Sequence, residues 1–143
     1  MCAFERSEKG MEFNMKKITI CDKEYEINSN AYTRFLYKQV FNTKIFSDIA
    51  VLNKFNQGQE KLKKELKNKK LKKEEIEEEL SSYMLENIDD FMDVMLKLAY
   101  IFIKTADSNF ETFENWLKGI ESININDSWV QEVTELAVNS FRG

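Results

Sequence analysis

LAYIFIKTADSNFETFENWL, residues 98 to 117, decides how this chain folds. Its first six residues are apolar on nearly every face of a helix, and such a helix must be buried on most sides. The run breaks at Ala106-Asp107-Ser108-Asn109. Ser108 to Glu111 has capping-box spacing, which predicts a new helix starting at once. That helix carries Phe110, Phe113, Trp116 and Leu117 on one face. A face of this kind either closes a core or holds a partner.

Upstream, Met84, Ile88, Phe91, Met92, Met95, Leu98, Ala99 and Phe102 keep a three-four rhythm. The spacing predicts a central helix from about Tyr83 to Thr105. Downstream, Ser128 to Gln131 repeats the capping-box spacing, and Trp129, Val130, Val133, Leu136, Ala137 and Phe141 give the last helix its apolar face.

Near the N-terminus the period changes from about three and a half to two. Ile18 and Ile20 alternate with Lys17 and Thr19, and Tyr25 and Ile27 alternate with Glu24 and Glu26. This reads as a β-hairpin with one apolar face and a turn near Cys21-Asp22-Lys23. Two strands alone are marginal in water, so that face must rest on helices. Asn28-Ser29-Asn30 supplies helix N-caps, and Tyr32, Phe35, Leu36 and Val40 follow at helical spacing. A short helix from Lys44 to Phe55 is expected next, with Gly58 as its C-terminal stop.

Residues 60 to 80 hold eight lysines and seven glutamates. Leu62, Leu66, Leu71, Ile76 and Leu80 make a thin apolar stripe, so the block reads as one solvated helical arm. As a single helix it has its glutamates at the wrong end for the dipole. Its spacing is not a clean heptad. The interleaved glutamates argue against a nucleic-acid stripe.

The chain has 143 residues, a net charge of −4, no histidine and no proline. That length suits one domain. The acidic balance does not point to nucleic acid. Without histidine the usual neutral-pH acid–base group is missing, and so is the commonest metal ligand. Asp89 and Asp93 are one helical turn apart, but no Glu-x-x-His motif completes a two-metal site. No phosphate loop or nucleophile elbow occurs, so no catalytic residue, cofactor or metal is assigned and an enzyme is not expected. Cys2 and Cys21 read as free thiols of a reducing compartment. No run approaches the ~18 apolar residues of a membrane span. Residues 1–15 read as a flexible leader, with Met1, Met11 and Met15 all open as starts.

The order of parts resembles a family. ITICDKEYEI is followed by NAYTRFLYKQVFNTKIFSDI, then a charged insert, then LKLAYIFIKTADSNF and ETFENWLKGI. This is similar to the tail assembly chaperones of long-tailed bacteriophages and related prophages, over residues 16 to 56 and 82 to 141. The hairpin turn has Cys21-Asp22 where the family has Asn-Gly or Asp-Gly, and the insert at 57 to 80 is longer and more charged. The resemblance implies a non-enzymatic protein of the bacterial host cytoplasm, absent from the mature particle. Such a protein binds the long helical tape measure protein, keeps it soluble and helps recruit tail tube subunits. Contact with the tail tube protein follows from the same resemblance, and self-association is a further expected contact. The alternative is a small phage or bacterial regulatory or adaptor protein.

These readings combine into a mainly α (α+β) fold. A small N-terminal hairpin at about 16–28 packs on a bundle of about five helices. The charged arm spans about 59–80 and the main helices about 82–143, all within a single domain from residue 16 to 143. The expected partner-binding residues are Phe102, Phe110, Phe113, Trp116, Leu117 and Trp129. Met84, Met92 and Met95 read as core filler or as an adaptable groove.

Overall fold

The alternation at the N-terminus does produce a hairpin. The structure, a computed structural model, describes residues 16–141; the expected leader at 1–15 lies outside them. β1 (Lys16–Ile20) pairs antiparallel with β2 (Lys23–Ile27), placing Ile18 opposite Tyr25 and Ile20 opposite Lys23. The turn is two residues long, and Cys21 and Asp22 have φ of 49° and 66°. Left-handed geometry at both positions is what a tight hairpin needs to match the strand twist. Glycine or asparagine reaches it with less steric cost than cysteine. Burial of Ile18, Ile20 and Ile27 on one face holds the register all the same.

Among the described residues the fold is this hairpin and five helices. They fall into two compact units, one formed by the chain up to Ile45 and from Met95 onward, the other by Phe46–Val94.

In the first unit, α1 (Ala31–Phe41) starts at Asn30, whose side chain and that of Thr33 form a capping box. It stops at Asn42, left-handed with φ 56°, whose N–H donates to the Lys38 carbonyl at 2.8 Å. The last turns of the long helix α3 (Lys73–Ala106) run through this unit, and Leu98 to Ile103 are each at most 2% exposed. The N–H of Asn28 donates to the Phe102 carbonyl at 3.0 Å, which ties the hairpin's exit to α3. Thr33 is fully buried, with its hydroxyl 3.1 Å from that of Thr105. Thr105 donates its single hydroxyl hydrogen to the Ile101 carbonyl at 2.7 Å. Thr33 therefore donates to Thr105, and it accepts from the Asn30 N–H at 3.0 Å.

α4 (Phe113–Lys118) begins later than its spacing predicts. Its N-cap is Thr112, whose hydroxyl accepts from the Asn115 N–H at 3.3 Å. The Ser108–Glu111 segment does not open the helix, because Asp107 turns the chain there. Its carboxylate accepts from the Asn109 N–H and its carbonyl from the Phe110 N–H, both at 3.0 Å. α5 (Ser128–Ser140) is likewise capped one residue earlier, at Asp127, without a side-chain capping bond. It buries Trp129, Val130, Val133 and Ala137 and packs against β1.

The second unit corrects two expectations. α2 (Ile45–Asn68) does not stop at Gly58, and the charge block is not one helix. α2 runs through the glycine, and a turn at residues 69–72, with Lys70 at φ 55°, leads into α3. Gly58 fits against α3 here because it lacks a side chain. The Tyr83 hydroxyl occupies the place where a Cβ would stand, and it donates to the Phe55 carbonyl at 3.4 Å. The Phe55 ring lies 4.6 Å from that of Phe91, centre to centre. The split also eases the dipole conflict. Lys63, Lys64 and Lys67 now sit at the C-terminal end of α2, and Glu74 and Glu75 occupy the first turn of α3. Lys67, Glu74 and Glu75 are thus at helix ends that favour them, while Glu65 in the last turn of α2 and Lys73 at the start of α3 are not.

Gly58→Ala should gain roughly 1 kcal/mol from helix propensity alone. With Tyr83 in place, the expected outcome is a lower melting temperature. In a Tyr83→Leu background the same change is expected to raise it, and a thermal double-mutant cycle followed by circular dichroism checks the reversal.

Candidate functional site

The residues singled out from the sequence lie in the first unit, most of them inward. Phe102, Trp116 and Trp129 are buried, whereas Phe110, Phe113 and Leu117 are half-buried. Phe110, Phe113 and Trp116 join one ring cluster around Tyr100. Their centroids lie 6.0, 5.2 and 5.7 Å from the Tyr100 ring. Tyr25 from β2 meets Phe110 and Trp116 edge-on, and Phe41 from α1 meets Phe113 edge-on at 4.8 Å. Trp129 is buried on α5. The indole N–H groups of Trp116 and Trp129 are buried without a hydrogen-bond partner. These residues contribute mainly through apolar and ring packing.

Tyr100 adds a polar fastening. Its hydroxyl donates to the Glu111 carbonyl at 2.6 Å, closing the turn between α3 and α4. Burial, with the nearby Glu111 carboxylate, raises its pKa above the ordinary 10.0. Lys104 caps the same turn by donating to the Phe110 carbonyl at 3.1 Å.

The surface aromatics are elsewhere. On α1, Tyr32 is 55% and Phe35 60% exposed, one helical turn apart. The Arg34 guanidinium lies 5.4 Å from the Phe35 ring centre, a cation–π distance. The side of α1 that is buried carries Thr33, Leu36 and Tyr37 instead. A usable signal existed. Tyr32, Phe35, Leu36, Tyr37 and Phe41 are too widely spread around an α-helix for one contact face to hold them all. Some had to face out, and periodicity alone did not say which.

In the second unit, Met92 is buried and Met84 half-buried, while Met95 is buried in the first unit. Glu86, Asp89, Asp90 and Asp93 are exposed along α3. Among the described residues no group of three or more histidine, cysteine or carboxylate side chains is placed to hold a metal ion. A shallow hollow on α2 is lined by Asn56, Gln57, Glu60, Lys61 and Lys64, all from one helix. Cys21 is an exposed free thiol that donates to the Ser122 carbonyl at 2.9 Å. No described helix is long and apolar enough to cross a membrane.

Compared with protein-family models, curated proteins and solved structures, the chain matches none.

Two outcomes follow from these placements. Trp116→Ala and Trp129→Ala should each cost about 3–5 kcal/mol, as buried aromatic truncations do. Tyr32→Ala and Phe35→Ala should stay within about 0.5 kcal/mol, as exposed positions do. Urea melts of the four variants separate core from surface. For Tyr100, the unfolded hydroxyl ionises before the folded one, so its contribution is complete below pH 10.0 and is lost as the pH rises toward the folded value. Stability should therefore fall in alkali, and Tyr100→Phe should flatten that fall.

Proposed function

We propose that the protein is a non-enzymatic tail assembly chaperone of the long-tailed phage kind. In this reading it binds the tape measure protein in the host cytoplasm, keeps it soluble until the tube forms around it, and helps recruit tube subunits. The observation that carries the reading is where the family-like stretches lie. ITICDKEYEI, NAYTRFLYKQVFNTKIFSDI, LKLAYIFIKTADSNF and ETFENWLKGI belong to the first compact unit apart from residues 46–49, while 46–56 and 82–94 of the wider resembling ranges belong to the second. The insert at 57 to 80, which has no family counterpart of that length and charge, belongs to the second.

The physics is compatible with that role. A client made of long amphipathic helices needs its apolar faces covered during assembly. A mainly helical, acidic partner covers them by helix-to-helix burial and keeps polar surface outward. Release demands moderate contacts, which suits a few exposed aromatics better than a large apolar patch.

Co-expression with the proteins encoded beside it tests the reading. The expected result is co-purification of one very long helical protein that stays soluble only when this chain is present. Recovery of the chain alone, or with a small regulator, overturns it.

A further inference from the structure

We propose that the outer face of α1 is the docking surface for an acidic amphipathic helix of a partner protein. The inference rests on the client-binding reading above and assigns that binding a face and a client chemistry.

Three observations converge on α1. The first is apolar area held outward. Tyr32 and Phe35 stand side by side at 55% and 60% exposure, although the chain buries both its tryptophans. Gln39 continues the same row at i+4 from Phe35 and is exposed. Residues spaced i, i+3 and i+7 lie along one side of a helix for about two turns, which is the footprint of a crossing helix. The second is order. Arg34 stacks over the Phe35 ring, which limits the ring's freedom before any partner arrives and lowers the entropy lost on binding. Tyrosine and arginine are also among the residues enriched at interface centres.

The third is charge, and it selects the occupant. From Asn28 to Ser47 the chain has three cations, Arg34, Lys38 and Lys44, and no carboxylate, within a protein of net charge −4. Arg34 and Lys38 are exposed one turn apart beside the aromatic row. A partner helix with an apolar stripe flanked by glutamate or aspartate fits that border, and one flanked by lysine is repelled. The exposed Leu85 and Phe46 of the second unit lack such a setting: Glu86 follows Leu85, and Asp48 stands two residues after Phe46.

The test uses the full chain and two synthetic helical peptides with the same leucine–phenylalanine stripe, one flanked by glutamates and one by lysines. Fluorescence anisotropy at low salt should give at least about tenfold tighter binding of the glutamate peptide. Phe35→Ala, and separately Arg34→Glu with Lys38→Glu, should each weaken it about tenfold while the thermal melt stays unchanged. Equal binding of both peptides, or binding that ignores these substitutions, overturns the proposal. So does sedimentation showing that wild type self-associates through this face and Phe35→Ala separates the copies, because the occupant is then a second copy. In co-expression, capture of a long helical protein by wild type and Phe35→Ala alike overturns this face and leaves the chaperone reading standing. Glutamate-peptide binding with no long protein recovered supports the face and overturns the chaperone reading.

Discussion

A helix that is apolar on every side has to be enclosed on every side, and the first unit is organised around that demand. Leu98 to Ile103 are enclosed almost completely. Removing a large aliphatic or aromatic side chain from water contributes roughly 1.5–3 kcal/mol each. The elements packed around them could not stand alone. A two-stranded hairpin is marginal in water, and a six-residue helix is far below the length at which isolated helices persist. They are fixed by specific fastenings to α3: the Asn28 N–H on the Phe102 carbonyl, the Thr33–Thr105 hydroxyl pair, and the Tyr100 hydroxyl on the Glu111 carbonyl. The polar bonds add direction to what burial drives, and they leave Thr33 satisfied at a fully enclosed position.

The second unit is built on a different balance. Its apolar seam holds Ile49, Leu52, Phe55 and Leu66 from α2 and Phe91 from α3, and its surface is dense in charge. Exposed charges of this kind contribute little as pairs. Their placement still has a consequence for the backbone, because lysines end one helix and glutamates begin the next. The change of sign along the sequence, at Lys73–Glu74, comes just after the turn between the two helices.

The elements legible in the sequence were those in which pattern and burial agree. The hairpin alternation, the Asn30 cap and the buried run at Leu98 all appear where the residues place them. The misreadings have physical causes. Gly58 looked like a helix stop, but its missing side chain makes room for Tyr83, a contact no local pattern encodes. The stripe through Leu66, Leu71 and Ile76 advances by five residues each time, which rotates about 140° away from one face of a 3.6-residue helix. That drift was a readable sign of the break at 69–72. Neither capping spacing marks the true cap: the Asp107 side chain turns the chain ahead of α4, whose cap is Thr112, and α5 starts from Asp127 without a side-chain capping bond. Trp116 and Trp129, expected among the partner-binding residues, are used inside the fold. The exposed aromatics of α1 came from a helix with more apolar residues than its contact face can take.

The central claim is that the end of α3 is the part of the first unit on which the rest depends. Native-state hydrogen exchange, read residue by residue, tests this most directly, since amides report the free energy of the opening that frees them. The amides of Leu98 to Ile103 should be the slowest. They should open together with those of Ile18, Ile20, Leu36 and Val133 in one cooperative step, far more slowly than Glu74 to Glu79 at the other end of the same helix. If Leu98 to Ile103 exchange as fast as that acidic end, or open while the hairpin stays protected, the account of this fold is wrong.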